Sequence, residues 1–332
     1  MEGNGGTGPD RNLAMELVRT TEYAAIACAR WIGRGDKEGA DGAAVDAMRM
    51  LLDTVAMDGV VVIGEGEKDE APMLYNGEHI GDGSAPEVDV AVDPLEGTEL
   101  CAKGLPNAIA TIALSERGTM FDPGPCFYML KMATSRDMAH LLDLDRPLGE
   151  TLQLMAKDKG VAVNDMVVIM LDRPRHDDAM AEIRDVGARI RLIPHGDVSA
   201  ALAAVTEGSP VDLLYGIGGT PEGVLAAAAI KCTGGQILGR LWPRSDEERK
   251  AALDAGYDLD EVLDRDRLVS GEDAFFAATG VTDGEMLDGV HFTRGGATTE
   301  SVSMRARSGT VRTITARHDR TKLREIVGER LG

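Results

Sequence analysis

The sequence predicts an α/β protein, and three observations predict it. From Leu148 to Tyr215, segments of helical spacing alternate with short β-branched runs, which implies parallel strands covered by helices. Upstream, two apolar runs, Val60 to Ile63 and Val88 to Val92, read as buried strands, each followed by acidic residues. The tail contains F-F-A-A-T-G-V, H-F-T-R-G-G-A-T-T-E-S-V-S-M-R-A and T-V-R-T-I-T-A-R, which read as antiparallel strands.

Taken in order, residues 1–9 are Gly-rich and expected to be disordered. Asp10 can cap a first helix in which Leu13, Leu17, Ala24, Cys28 and Trp31 recur at helical spacing up to Gly33, with Cys28 as a small buried hydrophobe. A polar loop from Gly33 feeds a second helix with Val45, Met48 and Leu52 on its apolar stripe, and Asp41 reads as the residue that starts and caps it. The strand to Ile63 spills into Glu65, Glu67, Asp69 and Glu70, and the Gly-rich stretch 71–87 that follows is expected to be mobile.

The strand from Val88 should stop at Asp93-Pro94, because proline brings no N–H to the ladder. Asp93, Glu96, Gly97 and Thr98 then fall within six residues. Asp-Pro followed by Glu-Gly-Thr is also ordinary turn chemistry. Two acid-tipped strand ends together favour a cradle for hard divalent ions, which take oxygen ligands.

Further apolar runs, 108–114 and 121–132, precede a helix at 148–159, a strand at 167–171, a helix at 177–186, a strand at 190–193, a helix at 198–205 and a strand at 213–215. The motifs R-P-R-H (173–176), P-H-G-D (194–197) and G-I-G-G-T-P-E-G (216–223) each follow a strand, where ligands bind on open α/β sheets. Tyr128 can be a core tyrosine or a ligand contact, and Arg175 a surface helix start or a ligand contact. From Asp246 comes one acidic helical stretch.

The 332 residues carry 56 acidic against 35 basic side chains, a net charge of -21, which argues against sequence-independent nucleic-acid binding or an anionic membrane surface. A phosphorylated substrate would be repelled as well, unless metal ions and a few placed cations reverse the field locally. The 4 cysteines stand far apart, so neither zinc nor a disulfide framework is indicated. Neither a signal region nor a span-length apolar stretch is present, and a reducing, cytoplasmic setting is expected.

The stretches G-E-G-E-K-D-E-A-P-M-L-Y-N-G-E (64–78), D-P-L-E-G-T-E (93–99) and Y-G-I-G-G-T-P-E-G-V (215–224) resemble class II fructose-1,6-bisphosphatase, of the lithium-sensitive phosphatase superfamily. The resemblance implies a layered αβαβα sandwich of the sugar phosphatase type. A metal and phosphate region would occupy 10–145, and a sugar and far-phosphate region 146–332. It implies hydrolysis of the 1-phosphate of fructose 1,6-bisphosphate in gluconeogenesis, with Mg²⁺ or Mn²⁺ held by Asp41, Glu65, Asp93, Glu96 and Glu222. Thr98 and Asp69 become the catalytic pair. Glu96, Gly97, Thr98, Tyr128, Arg173, Arg175, His195, Asp197 and Gly219 become substrate contacts, and Lys37 lies where the family has a basic residue. A homo-oligomer, dimer or tetramer, is expected.

Related readings are a sedoheptulose-1,7-bisphosphatase or dual sugar bisphosphatase, an inositol or nucleotide monophosphatase, and a non-catalytic metabolite sensor. Two positions depart from the family pattern. His195 stands where P-D-G-D is usual, and Arg173 where lysine is common. A neutral imidazole offers one acceptor where a carboxylate offers several. Glu99 has no role in the pattern.

Overall fold

The computed structural model describes residues 13–66 and 73–322. The N-terminal stretch 1–9, the Asp10 cap, Glu67, Asp69 and Glu70 lie outside the described residues.

The first part of the chain gives α1 (Ala14–Cys28), α2 (Lys37–Leu52), β1 (Asp58–Ile63), β2 (His79–Ile80), β3 (Glu87–Glu96), α3 (Thr98–Lys103), β4 (Ile109–Glu116) and β5 (Tyr128–Thr134). The alternating stretch gives α4 (Leu148–Lys159), β6 (Val167–Leu171), α5 (Asp177–Asp185), β7 (Arg189–Ile193), α6 (Asp197–Val205), β8 (Leu213–Gly219), α7 (Thr220–Thr233) and β9 (Gln236–Leu241). The tail gives α8 (Asp246–Asp254), β10 (Leu263–Asp264), α9 (Arg265–Leu268), β11 (Phe275–Gly280), β12 (His291–Thr293), β13 (Gly296–Arg305) and β14 (Thr310–Asp319).

Two mixed sheets result. The first runs β12-β13-β11-β4-β3-β1-β2, with β14 on the free side of β13; the second runs β10-β9-β5-β8-β6-β7. Both draw on chain from either side of residue 146, since β5 joins the second sheet and β11 to β14 the first.

Period-two alternation assigns the two faces of each sheet to different cores. Val90, Val92, Ile112 and Leu114 pack with α1 and α2, whereas Ala91, Ala113, Phe276 and Ala278 pack against α6 and α7. Across those helices lie Met129, Ile169 and Leu214 of the second sheet, whose other face, with Met132, Val168 and Met170, meets α4 and α5. The order is therefore helix, sheet, helix, sheet, helix. The central helices must be apolar all round, and α7 is: Val224 through Ile230 are all buried.

The structure corrects three expectations. Asp36, not Asp41, caps α2, its carboxylate accepting from the Gly39 N–H at 2.8 Å. Pro94 does not end its strand: β3 continues to Glu96, and the ladder to β4 slips between Asp93 and Glu96, so the missing N–H falls in an irregular stretch. The described part of 71–87 is pinned rather than loose. β2 pairs with β1, and the buried Glu78 accepts from Arg49 Nε at 2.6 Å and from the Leu74 N–H. The three strands read from the alternating stretch do run parallel, β7 beside β6 and β6 beside β8, while β5 pairs antiparallel with β8 and β9 antiparallel with β5.

Candidate active site

One cavity of about 520 Å³ lies where the carboxyl ends of β1, β3, β6, β7 and β8 converge on the first turns of α3, α6 and α7. Glycines at the helix starts let the chain turn sharply into the cavity: Gly97 at φ 84° precedes α3 and Gly196 at φ 103° precedes α6. The cavity is lined by Asp41, Glu65, Asp93, Glu96 and Glu222, by Gly97 and Thr98, by Lys37, Tyr128, Arg173 and Arg175, and by His195, Asp197 and Gly219. Every described residue expected at the site is thus brought to it, from sequence positions more than 180 residues apart. Asp69 lies outside the described residues.

The acidic end is electrostatically strained. Burial, and then the neighbouring Glu96, Glu65, Glu222 and Asp41, push Asp93 well above the usual carboxylate range. Burial takes Glu96 to about 8, with Asp197 and Glu222 adding to it against the Val198 N–H and Lys131. Glu65 rises to about 7 through burial and Asp41. Burial also raises Glu222 and Asp41, the latter opposed by the neighbouring Thr98 hydroxyl. The Thr98 hydroxyl, in turn, donates to the Leu95 carbonyl at 3.0 Å.

Glu96 is anchored on one side only, with Oε1 accepting from the Val198 N–H at 3.0 Å. Its Oε2 and that of Glu222 are buried without a hydrogen-bond partner. Buried oxygens in that condition are costly unless a cation or donor meets them. An all-oxygen donor set suits a hard divalent ion such as Mg²⁺ or Mn²⁺ rather than zinc. Among the described residues, no three such side chains are gathered tightly enough to hold an ion as they stand.

The opposite end is cationic and already ordered. Arg175 donates from Nε and a terminal nitrogen to the Ile217 carbonyl at 3.1 and 2.7 Å, and its guanidinium lies 4.9 Å over the Tyr128 ring. Tyr128 is therefore a cavity residue, not a core one, and Arg175 faces the cavity, not open surface. Arg173 is half-buried and donates to the Pro194 carbonyl at 2.7 Å. Behind them, buried His176 bridges two strands: Nδ1–H donates to the Leu171 carbonyl at 2.7 Å, and Nε2 accepts from the Ile217 N–H at 2.8 Å.

Glu99 now has a physical account. Lys103 and Lys37, at 2.5 and 2.7 Å, hold its carboxyl down at about 2, and His195 Nε2 lies 3.1 Å away. His195 thus faces a carboxylate from the first turn of α3 where the family pattern puts a carboxylate at position 195 itself. Lys131 was also missed, although a lysine inside the apolar run Y-M-L-K-M was a visible signal. It is 2% exposed.

Crowded carboxylates facing guanidiniums across one cavity call for a ligand that carries negative charge at both ends and a means of reversing the field at one of them. The class defined is a hydrolase of phosphorylated small molecules. Comparison with known proteins narrows it: the chain belongs to the family described as bacterial fructose-1,6-bisphosphatase, glpX-encoded, which matches residues 11–318. It is 42% identical to a D-fructose 1,6-bisphosphatase class 2/sedoheptulose 1,7-bisphosphatase of Synechococcus sp. (strain JA-3-3Ab), over 93% of this chain and 96% of that protein. Similar likenesses are 41% to the protein of the same description in Thermosynechococcus vestitus and 42% to a fructose-1,6-bisphosphatase class 2 of Haemophilus influenzae, each with the same shares covered.

Proposed function

We infer that this enzyme hydrolyses the 1-phosphate of fructose 1,6-bisphosphate, giving fructose 6-phosphate and phosphate. The observation that carries the reading is the polarity of the cavity, with strained carboxylates at one end and Arg173 and Arg175 at the other. Asp41, Glu65, Asp93, Glu96 and Glu222 would hold Mg²⁺ or Mn²⁺, which when bound supplies charge neutralisation for the phosphoryl oxygens and a nucleophile at neutral pH. Gly97 and Thr98, at the start of α3, offer backbone N–H groups to the phosphate being transferred. The Thr98 hydroxyl lies within reach of Asp41 and can orient the attacking water.

Arg175, with its guanidinium over the Tyr128 ring, would grip the far phosphate, and Asp197 would accept from sugar hydroxyls. Sedoheptulose 1,7-bisphosphate carries the same two charges and is the second reading, favoured by the dual descriptions of the Synechococcus and Thermosynechococcus relatives. A gluconeogenic, cytoplasmic setting and a dimer or tetramer complete the proposal. Among the described residues no helix is long and apolar enough to cross a membrane. The test is phosphate release from a panel of sugar mono- and bisphosphates with Mg²⁺ and with Mn²⁺. Equal rates on monophosphates would overturn the bisphosphate reading.

A further inference from the structure

Lys131 stands in the middle of β5 and is among the largest fully buried side chains of the molecule. It does not line the cavity but sits behind its wall. Its Nζ donates to the Gly219 carbonyl at 2.9 Å and lies 2.5 Å from Asp197 Oδ2. Those two partners belong to different helix starts, because Asp197 opens α6 and Gly219 precedes α7, whose first turn carries Glu222. The neighbouring backbone is cut to fit. A Cβ at position 218 would come within 1.9 Å of Asp197 Oδ2.

A buried ion pair is weak evidence of stabilisation, since a well-packed apolar pair of similar volume is commonly as stable. Methionine would continue the apolar pattern of β5 at no desolvation cost. An ammonium here therefore calls for a role that an apolar side chain cannot fill, and its contacts say which. It reaches the carboxylate that faces the sugar and the carbonyl beside the Glu222 turn.

We propose that Lys131 is a positioning residue: it holds Asp197 in the orientation that receives sugar hydroxyls, and ties that carboxylate to the turn carrying Glu222. The role rests on the sugar phosphatase reading above. Lys131 touches no substrate itself. It acts through Asp197.

The experiment compares wild type, Lys131→Met, Asp197→Asn and the double variant, in the full chain. Three quantities are read: kcat and KM for fructose 1,6-bisphosphate, the calorimetric affinity for fructose 6-phosphate without added metal, and the thermal midpoint. Lys131→Met should raise KM and weaken fructose 6-phosphate binding roughly ten- to a hundredfold, the range for a misplaced charge-assisted contact. Its kcat should fall much less. Adding Asp197→Asn to Lys131→Met should cost little more, because residues that act as a unit are non-additive.

Should Lys131→Met fail to fold, Gly218→Ala, whose Cβ would meet Asp197 Oδ2 and crowd Lys131 Cε, displaces the pair without removing either charge, and the same rise in KM is expected. A lowered midpoint with unchanged KM and unchanged binding, or full additivity of the two substitutions, overturns the proposal. In that case wild type still hydrolyses the bisphosphate and binds fructose 6-phosphate. Wild type that does neither overturns the functional reading itself.

Discussion

Two of the regions where this molecule buries carboxyl groups differ in what raises them. Glu22 in α1 is 6% exposed, and burial takes it from 4.5 to about 7, opposed by a hydrogen bond from Thr299 and by Arg19. Asp93 is raised by burial too, but four neighbouring carboxylates then push it further. One proton relieves the first group. In the second, each added proton serves one carboxylate, whereas a divalent cation bound among them would relieve all of them at once. Perturbed acids are found in structural and functional settings alike, and the crowd of like charges with unpartnered oxygens separates the two here.

The largest test of this contrast is Asp93→Ala. It removes a proposed ligand and also a source of repulsion, so turnover should fall roughly a thousandfold or more, the scale for losing charge stabilisation of a transition state. The thermal midpoint in a chelator should hold or rise. Ordinary phosphate release, or a clear drop in midpoint, would break the assignment of the crowded region as the site.

Next in size is Thr98. Alanine there should lose about a hundredfold or more in kcat with KM little changed, and serine, which keeps the hydroxyl, should retain most of the activity. Equal losses in both variants would mean that the methyl group, not the contact with Asp41, matters.

Arg175→Ala probes the cationic end. It should cost roughly ten- to a hundredfold in kcat/KM for fructose 1,6-bisphosphate and nothing for a sugar monophosphate. The two substrates should be assayed side by side in both proteins, and a uniform loss would show that Arg175 does not read the second phosphate.

The smallest effect on activity, none, is expected at Glu22. Its folded value lies above its unfolded one, so between about 4.5 and 7 the folded chain holds a proton that the unfolded chain has released. The stability attached to that proton is complete below 4.5 and is lost as pH rises to about 7. Glu22→Gln removes the loss and should stabilise the protein at pH 8 by up to ~3 kcal/mol, with turnover unchanged. Thermal midpoints at low and high pH decide it. A midpoint at pH 8 no higher than wild type would contradict a carboxyl raised by burial.

Much of the fold was legible because its signals are local. Leu148 to Lys159 and Val167 to Leu171 appear at the bounds read from periodicity alone. Asp36 was missed as a cap because Asp41 offered the same chemistry five residues later, and only the helix start distinguishes them. The continuation of β3 past Pro94 was not legible, since a proline is compatible with a strand only where the partner ladder slips, and that slip belongs to β4. Lys37, Asp41 and Glu222 could be named from motif resemblance, but Lys103 and Lys131 could not, because no local pattern says which lysine meets Glu99 or Asp197.

By itself the sequence determined the acid-tipped strand ends, the glycine-led turns and the arginines that follow β6, because each depends on residues within a few positions of one another. Tertiary structure alone decided that these pieces share one cavity, that His195 faces Glu99, and that Lys131 lies beneath Asp197. Those two ion pairs join residues 96 and 66 positions apart, and the cavity joins elements of different sheets. Their energies depend on distance and burial, which only the packing of the two sheets around α6 and α7 sets.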